Sequence, residues 1–243
     1  MSQLNYTHKE IDVEGHITLD VISKADKLNR WMYDTIRPYC NGNILEIGSG
    51  IGNISQFFIA EGTHITLSDI RTNYCDILKT KFKNSSVVVL NLVDADFDEK
   101  YAHLFETFDS VFALNVVEHI ENDVLALANI KKLLKKNGKA VILVPAYQSL
   151  YNQFDVELEH YRRYTLSSLR AVFEKTSYAV EKSWHFNFIG IFGWFVSGKL
   201  LGKKTIPEGQ MSFYNTLVPV FRLIDRCVFN LMGLSAITVG VKK

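Results

Sequence analysis

The stretch Ile44-Leu45-Glu46-Ile47-Gly48-Ser49-Gly50-Ile51-Gly52 decides the reading of this 243-residue chain. An apolar run that breaks into closely spaced glycines, with Ile54, Phe57 and Phe58 following at helical spacing, reads as strand, tight turn and helix. Glycine admits left-handed backbone and lets a ligand approach the main chain, while the helix that follows opens its unpaired N–H groups toward that ligand. One helix and one strand later, His64-Ile65-Thr66-Leu67-Ser68 ends on Asp69. A carboxylate at the carboxyl end of the neighbouring strand can accept both hydroxyls of a ribose, so the spacing points to a nucleoside-bearing cofactor.

The same residues discriminate between such cofactors. A dinucleotide fingerprint, G-x-G-x-x-G, needs a third glycine for close helix packing, and Asn53 stands there instead. The pattern is E-x-G-x-G-x-G, and Glu46 would repel a diphosphate but attract an amino group. It resembles the first motif of class I S-adenosylmethionine (SAM) methyltransferases, closely over residues 40–144 and loosely beyond. The resemblance implies an α/β fold: a Rossmann-like, mostly parallel seven-stranded sheet with helices on both faces and a helical insertion before the last strand. It implies SAM as cofactor, held by Glu46, Gly48, Ser49, Gly50, Gly52, Asp69, Ile70, Asn91, Leu92, Asp94 and Asn115, with Asn91 and Asp94 as alternatives for the adenine contact.

Alternating patterns support that architecture. Thr72 to Lys83 reads as helix, Val87 to Leu92 as strand, Ser110 to Leu114 as strand, Asp123 to Lys136 as helix ending at Asn137-Gly138, and Ala140 to Val144 as strand. Tyr178 to Trp184 and Ala236 to Val241 read as further strands, which the resemblance makes a terminal antiparallel pair. One domain, 1–243, is expected: an N-terminal helical lid over 1–39, a SAM-binding core over 40–185, a hydrophobic helical insertion over 186–234 that caps the substrate, and the last strand over 235–243.

Two polar segments follow strands whose carboxyl ends share the ligand-binding edge. Leu114-Asn115-Val116-Val117-Glu118-His119-Ile120 resembles the fourth-strand motif of the same family, which implies that Asn115 and His119 face the reaction centre. A subset of the family, including ubiquinone-biosynthesis O-methyltransferases, carries E-x-x-E-H here and uses it to hold a divalent metal. This chain has Asn115 where the first glutamate belongs, and a neutral amide is a poor ligand for a hard cation, so no metal is expected. The second segment, Phe154 to Thr165, contains His160-Tyr161-Arg162-Arg163-Tyr164, which resembles a stretch beside the substrate in related bacterial enzymes. His160 and His119 have the chemistry of a general base. Tyr161 and Arg162, with Trp31 and Tyr33 of the lid, are expected at the substrate.

The insertion should decide the acceptor. Phe186 to Val196 is an aromatic patch containing Phe192 and Trp194, too short to span a bilayer. Beyond Pro207, the residues Phe213, Leu217, Val220, Phe221, Ile224, Val228 and Leu231 have the spacing of one helical face. Lys199, Lys203, Lys204, Arg222 and Arg226 outnumber Glu208 and Asp225. Such a segment suits a hydrophobic or lipid-linked acceptor, contact with a membrane surface, or a homodimer.

A formal net charge of +1 gives no electrostatic case for nucleic acid. Three dispersed cysteines and a polar N-terminus suit the cytoplasm. The expected reaction is methyl transfer to an oxygen or nitrogen of a small molecule. An NAD(P)- or nucleotide-sugar-binding Rossmann oxidoreductase and a non-catalytic SAM-fold subunit are the alternatives.

Overall fold

A computed structural model describes residues 13–203 and 208–243. The first part of the expected lid, and Lys204 and Pro207 of the insertion, lie outside the described residues.

Seven strands form one sheet: β1 (Ile44–Ile47), β2 (Ile65–Asp69), β3 (Ser86–Val89), β4 (Phe108–Leu114), β5 (Leu134–Pro145), β6 (Tyr178–Phe186) and β7 (Ser235–Lys242). Their spatial order is β3-β2-β1-β4-β5-β7-β6. The first five run parallel, and β7 lies antiparallel between β5 and β6. This is the expected doubly covered, mostly parallel sheet. Strands buried on both faces read as continuous apolar runs, as β1 does apart from Glu46.

Alternate residues of the central strands serve opposite layers. Leu45, Val111 and Ala113 face a core completed by α6 (Asp123–Leu133) and α8 (Leu166–Lys175). Ile44 and Phe112 face the other, against α2 (Asp26–Ile36), α3 (Ser55–Ala60) and α10 (Glu208–Cys227). There Phe58 stacks on Phe112 with ring centroids 5.2 Å apart. Thr165 caps α8 through a capping box, its hydroxyl accepting from the Ser168 N–H.

Several boundaries differ from the sequence reading. The N-terminal helix is two helices, α1 (Val13–Ser23) and α2, separated at Lys24-Ala25. Helix α6 stops at Leu133 rather than Lys136, because Leu134 enters the sheet opposite Phe108. The register then jumps to Ser110 opposite Lys139, leaving Lys135 to Gly138 as an irregular excursion in which Asn137 takes φ +64°. Strand β3 ends at Val89, so Leu90 to Leu92 form the edge of the cavity described below.

The orientation of α10 is the largest departure. The spacing puts Phe213, Val220, Phe221 and Leu231 on one helical face, yet they do not share one environment: Phe213 is 68% and Leu231 72% exposed. The face packed against the body is Met211, Tyr214, Val218 and Phe221, on which Val218 is only 1% exposed. Helical spacing defines two apolar stripes here, and contact with α2 selects the one that is buried. Buried Asp225 reinforces the choice, its carboxylate accepting the N–H groups of Asn187 (2.6 Å) and Phe188 (2.8 Å). No described helix is long and apolar enough to cross a membrane.

This register predicts unequal costs for two apolar truncations on one helix. Val218→Ala should lower unfolding free energy by about 1–3 kcal/mol, and Leu223→Ala, 60% exposed, by less than about 0.5 kcal/mol. Urea denaturation monitored by circular dichroism reads both.

Candidate active site

The chain leaves β1 toward β2 on one side and β4 lies on the other, so the crevice at their carboxyl ends is the topological switch point of the sheet. A cavity of about 780 Å³ occupies it, walled by the β1–α3 turn, the ends of β2, β4 and β5, the loop to His160, and helices α1, α2 and α10.

At one end the glycine turn is built for close approach. Gly48 (φ +69°) and Gly50 (φ +52°) have left-handed backbone, and a Cβ on Gly48 would collide with Val116 Cγ2. The turn is tied to β2 by Ser49 N–H donating to the Ser68 carbonyl at 2.8 Å and by Gly50 N–H donating to Asp69 Oδ2 at 3.0 Å. Asp69 Oδ1 accepts from Arg71 N–H at 3.0 Å. Burial raises the Asp69 carboxyl above its ordinary range, and those N–H groups oppose the rise. Glu46 lies beneath the turn, 4% exposed, accepting a hydrogen bond from the Ser55 hydroxyl. Burial pushes its pKa up to about 7, so a cation placed against it would favour the ionised form.

Toward the middle of the cavity, Glu118, His119 and His160 converge, with one potential ligand atom from each within 4.8 Å of the others. His160 Nδ1 lies 2.8 Å from Asp155 Oδ1, which also accepts from Arg163 Nε at 2.8 Å. Burial works against the Asp155 charge, but His160 and Arg163 together hold its pKa below the ordinary carboxylate value. An ionised Asp155 keeps the His160 proton on Nδ1 and turns Nε2 toward the cluster, 4.0 Å from Glu118 Oε1. The His119 ring meets the His160 ring edge-on at 4.6 Å. Burial, with His160 beside it, brings the His119 pKa down to about 3, so His119 is neutral. Glu118 is wholly buried, and neither carboxyl oxygen has a hydrogen-bond partner among the described residues. Burial pushes its pKa to about 8, which makes it a neutral acid at pH 7.

The far end is apolar. Leu28, Met32, Phe154, Phe186, Trp194 and Met211 line it, with the polar groups of Asn29, Asn187 and Tyr214 set among them. Asn29 is fully buried; its amide N–H donates to the Ile22 carbonyl at 2.8 Å, and its Oδ1 has no hydrogen-bond partner among the described residues.

Most of the site residues expected from sequence are on this wall: Glu46, Gly48, Ser49, Gly50, Asp69, Ile70, Asn91, Leu92, Asn115, His119, His160, Tyr161 and Trp194. Six stand off it, against expectation. Gly52 turns its Cα toward the Phe82 ring. Asp94 pairs with Lys100 at 2.7 Å, so of the two adenine candidates only Asn91 reaches the cavity. Trp31 is consumed by packing on Phe186, with centroids 4.4 Å apart, and Tyr33 lies between Phe57 and Phe58. Arg162 points to Asp123 and to the Glu121 carbonyl. Phe192 lies on the outside of its helix, 55% exposed.

Several wall residues went unread in the sequence. Arg71 and Tyr74 come from the start of α4 (Thr72–Lys81), two and five positions beyond Asp69, where proximity to a strand end was the available signal. Asn187, Gln210 and Tyr214 carried none, because they meet only when α10 folds back across the sheet.

Residues 45–140 match a family model described as a methyltransferase domain. The E-x-G-x-G-x-G turn, Asp69 and the sheet order agree with that likeness, which covers about two fifths of the chain, and with a class I SAM-dependent methyltransferase fold. A ubiquinone biosynthesis O-methyltransferase of Rickettsia felis is 30% identical over 99 residues, covering 41% of this chain and 39% of that protein. The chain thus spans about two fifths of that curated relative. Among solved structures, a SAM-dependent methyltransferase from Archaeoglobus fulgidus has a TM-score of 0.56 at 19% identity, covering 88% of this chain and 94% of its own. A methyltransferase bound to the Trm112 activator of Haloferax volcanii has a TM-score of 0.62 at 14% identity, with 95% and 98% covered. At these identities the two structures establish the fold.

The neutral Glu118 has a signature in stability. A carboxyl whose folded pKa is raised from 4.5 to about 8 contributes stability that is fully present below pH 4.5 and lost as pH rises through about 8. Glu118→Gln keeps the shape without the titration. The ligand-free variant should therefore lose less stability than wild type between those limits, read from urea midpoints across pH.

Proposed function

We propose that this chain transfers the methyl group of SAM to an oxygen or nitrogen of a small-molecule acceptor that has a substantial apolar part. The observation that carries the reading is a single cavity with two chemically distinct ends. Glu46, Asp69 and the glycine turn line one, and the Asp155-oriented His160 opens toward a wall of Phe154, Phe186, Trp194 and Met211.

The first end fits SAM on the chemistry of its donors. Glu46 offers a buried carboxylate to the amino group, Asp69 has acceptor lone pairs left for ribose hydroxyls, and Asn91 and Leu92 border the place expected for adenine. The side chain of Asn53, 8% exposed and donating to the Leu19 carbonyl at 3.2 Å, occupies the position where a dinucleotide fold needs glycine. When bound, SAM supplies an activated methyl group, and the protein's contribution to rate is mainly alignment of the acceptor with it. A hydroxyl acceptor must also lose a proton. His160 Nε2 is the group oriented to accept it, with Asp155 fixing the tautomer and stabilising the charge that forms. Likeness to a protein named as an O-methyltransferase supports oxygen as the acceptor atom.

Glu118, His119 and His160 would offer a divalent ion one carboxyl group and two imidazoles, and the position that carries glutamate in the metal-holding subset of the family is Asn115. A single acidic ligand beside an amide makes a weak site for a hard cation, and we read the reaction as metal-independent.

Calorimetric titration should give one SAM site per chain, with Asp69→Ala weakening it by about 1.5–3 kcal/mol. Gly50→Val should abolish binding, because its left-handed backbone resists a β-branched residue and its Cβ would press on Leu19 at 3.0 Å. Tight NAD(H) binding without SAM binding would overturn the reading.

With an acceptor in hand, His160→Ala and Asp155→Asn should lower kcat by about 10²–10⁴-fold while leaving SAM affinity within a few-fold. Trp194→Ala should act mainly on the acceptor KM. Activity should persist after exhaustive chelation. Its loss, followed by recovery on adding one particular ion, would instead assign Glu118, His119 and His160 to a metal.

A further inference from the structure

The insertion that closes the apolar end of the cavity also presents apolar side chains to the outside. Helix α9 (Gly190–Trp194) runs on through a π-helical turn, Phe195–Leu200, and contributes Gly193, Trp194 and Ser197 to the cavity wall; α10 contributes Gln210, Met211 and Tyr214. The two are joined by Gln210 Nε2 donating to Ser197 Oγ at 2.6 Å. Their opposite faces carry Leu200, Leu201, Phe213 and Leu223, all at least 60% exposed, and the turn after α10 adds Phe229 at 80%. Isolated exposed apolar residues are ordinary, but this concentration on one element of a folded chain marks an interaction surface.

Charge identifies its partner. Between residues 190–203 and 209–234 the described charged side chains are Lys199, Lys203, Arg222, Arg226 and Asp225. Asp225 is turned inward onto the Asn187 and Phe188 N–H groups, so within those two ranges every charge shown to solvent is positive. Arg222 is neutralised by Asp34 at 2.8 Å, whereas Lys203 and Arg226 have no ion-pair partner among the described residues. A symmetric contact with a second copy would set these cations against one another. An anionic lipid surface satisfies both features: the leucines and phenylalanines enter the acyl boundary while the lysine and arginine heads stay among lipid phosphates.

We propose that the α9–α10 insertion is a monotopic docking surface for anionic lipid bilayers, seated so that the apolar end of the cavity lies next to the membrane. Docking goes beyond the methyl-transfer reading and needs no turnover. It gives that reading a route by which an amphipathic acceptor could enter between α9 and α10 without its apolar part crossing water.

The test is vesicle flotation of the purified full chain at low salt, with phosphatidylcholine alone and with one third phosphatidylglycerol. The chain should float with the anionic vesicles and not with the neutral ones. Phe213→Ser combined with Leu223→Ser should reduce the bound fraction about tenfold or more, and Lys203→Glu combined with Arg226→Glu should abolish it. Phe213, Leu223 and Arg226 are exposed and Lys203 is half-buried with no ion-pair partner among the described residues, so thermal midpoints and SAM titrations of both variants should match wild type. Failure of the wild-type chain to float, or flotation unaffected by either pair, would overturn the proposal. So would a concentration-dependent dimer, or an acidic protein complex, that the same substitutions dissolve while vesicles are ignored.

Discussion

Asp69 accepts the N–H of Gly50 with one carboxylate oxygen and the N–H of Arg71 with the other, binding the turn after β1 to the end of β2. The rest of the site hangs on that clasp. It holds a glycine-rich loop, which has little conformational preference of its own, in one shape at the carboxyl edge of the sheet. It also keeps a nearly buried carboxylate beside the cavity, where a ligand can replace lost solvation. Ser49 and Ser68 reinforce it, and the parallel pairing of Glu46 with Leu67 sets the two carboxylates on neighbouring strands.

Electrostatics divides the cavity into regions with different tasks. Glu46 and Glu118 are both buried acids whose pKa values rise toward or above neutrality, but their surroundings differ. Glu46 accepts a hydrogen bond from Ser55 beneath the glycine turn. The Glu118 carboxyl has no hydrogen-bond partner among the described residues and sits against two imidazoles. Asp155 behaves oppositely, because His160 and Arg163 compensate its burial. Arg163 in turn lies 4.6 Å from the Trp194 ring, which couples the charged centre to the apolar wall. An unpaired buried acid is costly in a resting protein, and its presence in the middle of a cavity is evidence that this region is organised for chemistry.

The insertion is where the fold departs from the minimum the sheet needs. One side of α10 completes the second core through Val218 and Phe221, and the other is left apolar in solvent. A helix with apolar residues on both sides cannot bury them all against one body, so its outer stripe stays exposed. The same element therefore links core stability, the apolar end of the cavity and the outer surface.

The glycine turn, Asp69 and the alternation of strands and helices were legible in the sequence because each is a local pattern. Left-handed turns require glycine, and strands and helices impose their own periods. The end of α6 was misread because the local preference of Lys135 and Lys136 for a helix is overridden by pairing of Leu134 with Phe108. Tyr33 and Arg162 have the chemistry of binding residues, yet packing and Asp123 claim them. The Asp155–His160–Arg163 arrangement lies within one short loop, but its meeting with Glu118 depends on bringing the ends of β4 and β5 together. The sequence by itself determined the sheet, the glycine turn and the pair of acidic strand ends, since all three follow from local spacing. Only the tertiary structure decided which stripe of α10 is inside and which polar groups share the cavity, because both depend on contacts between segments far apart in the chain.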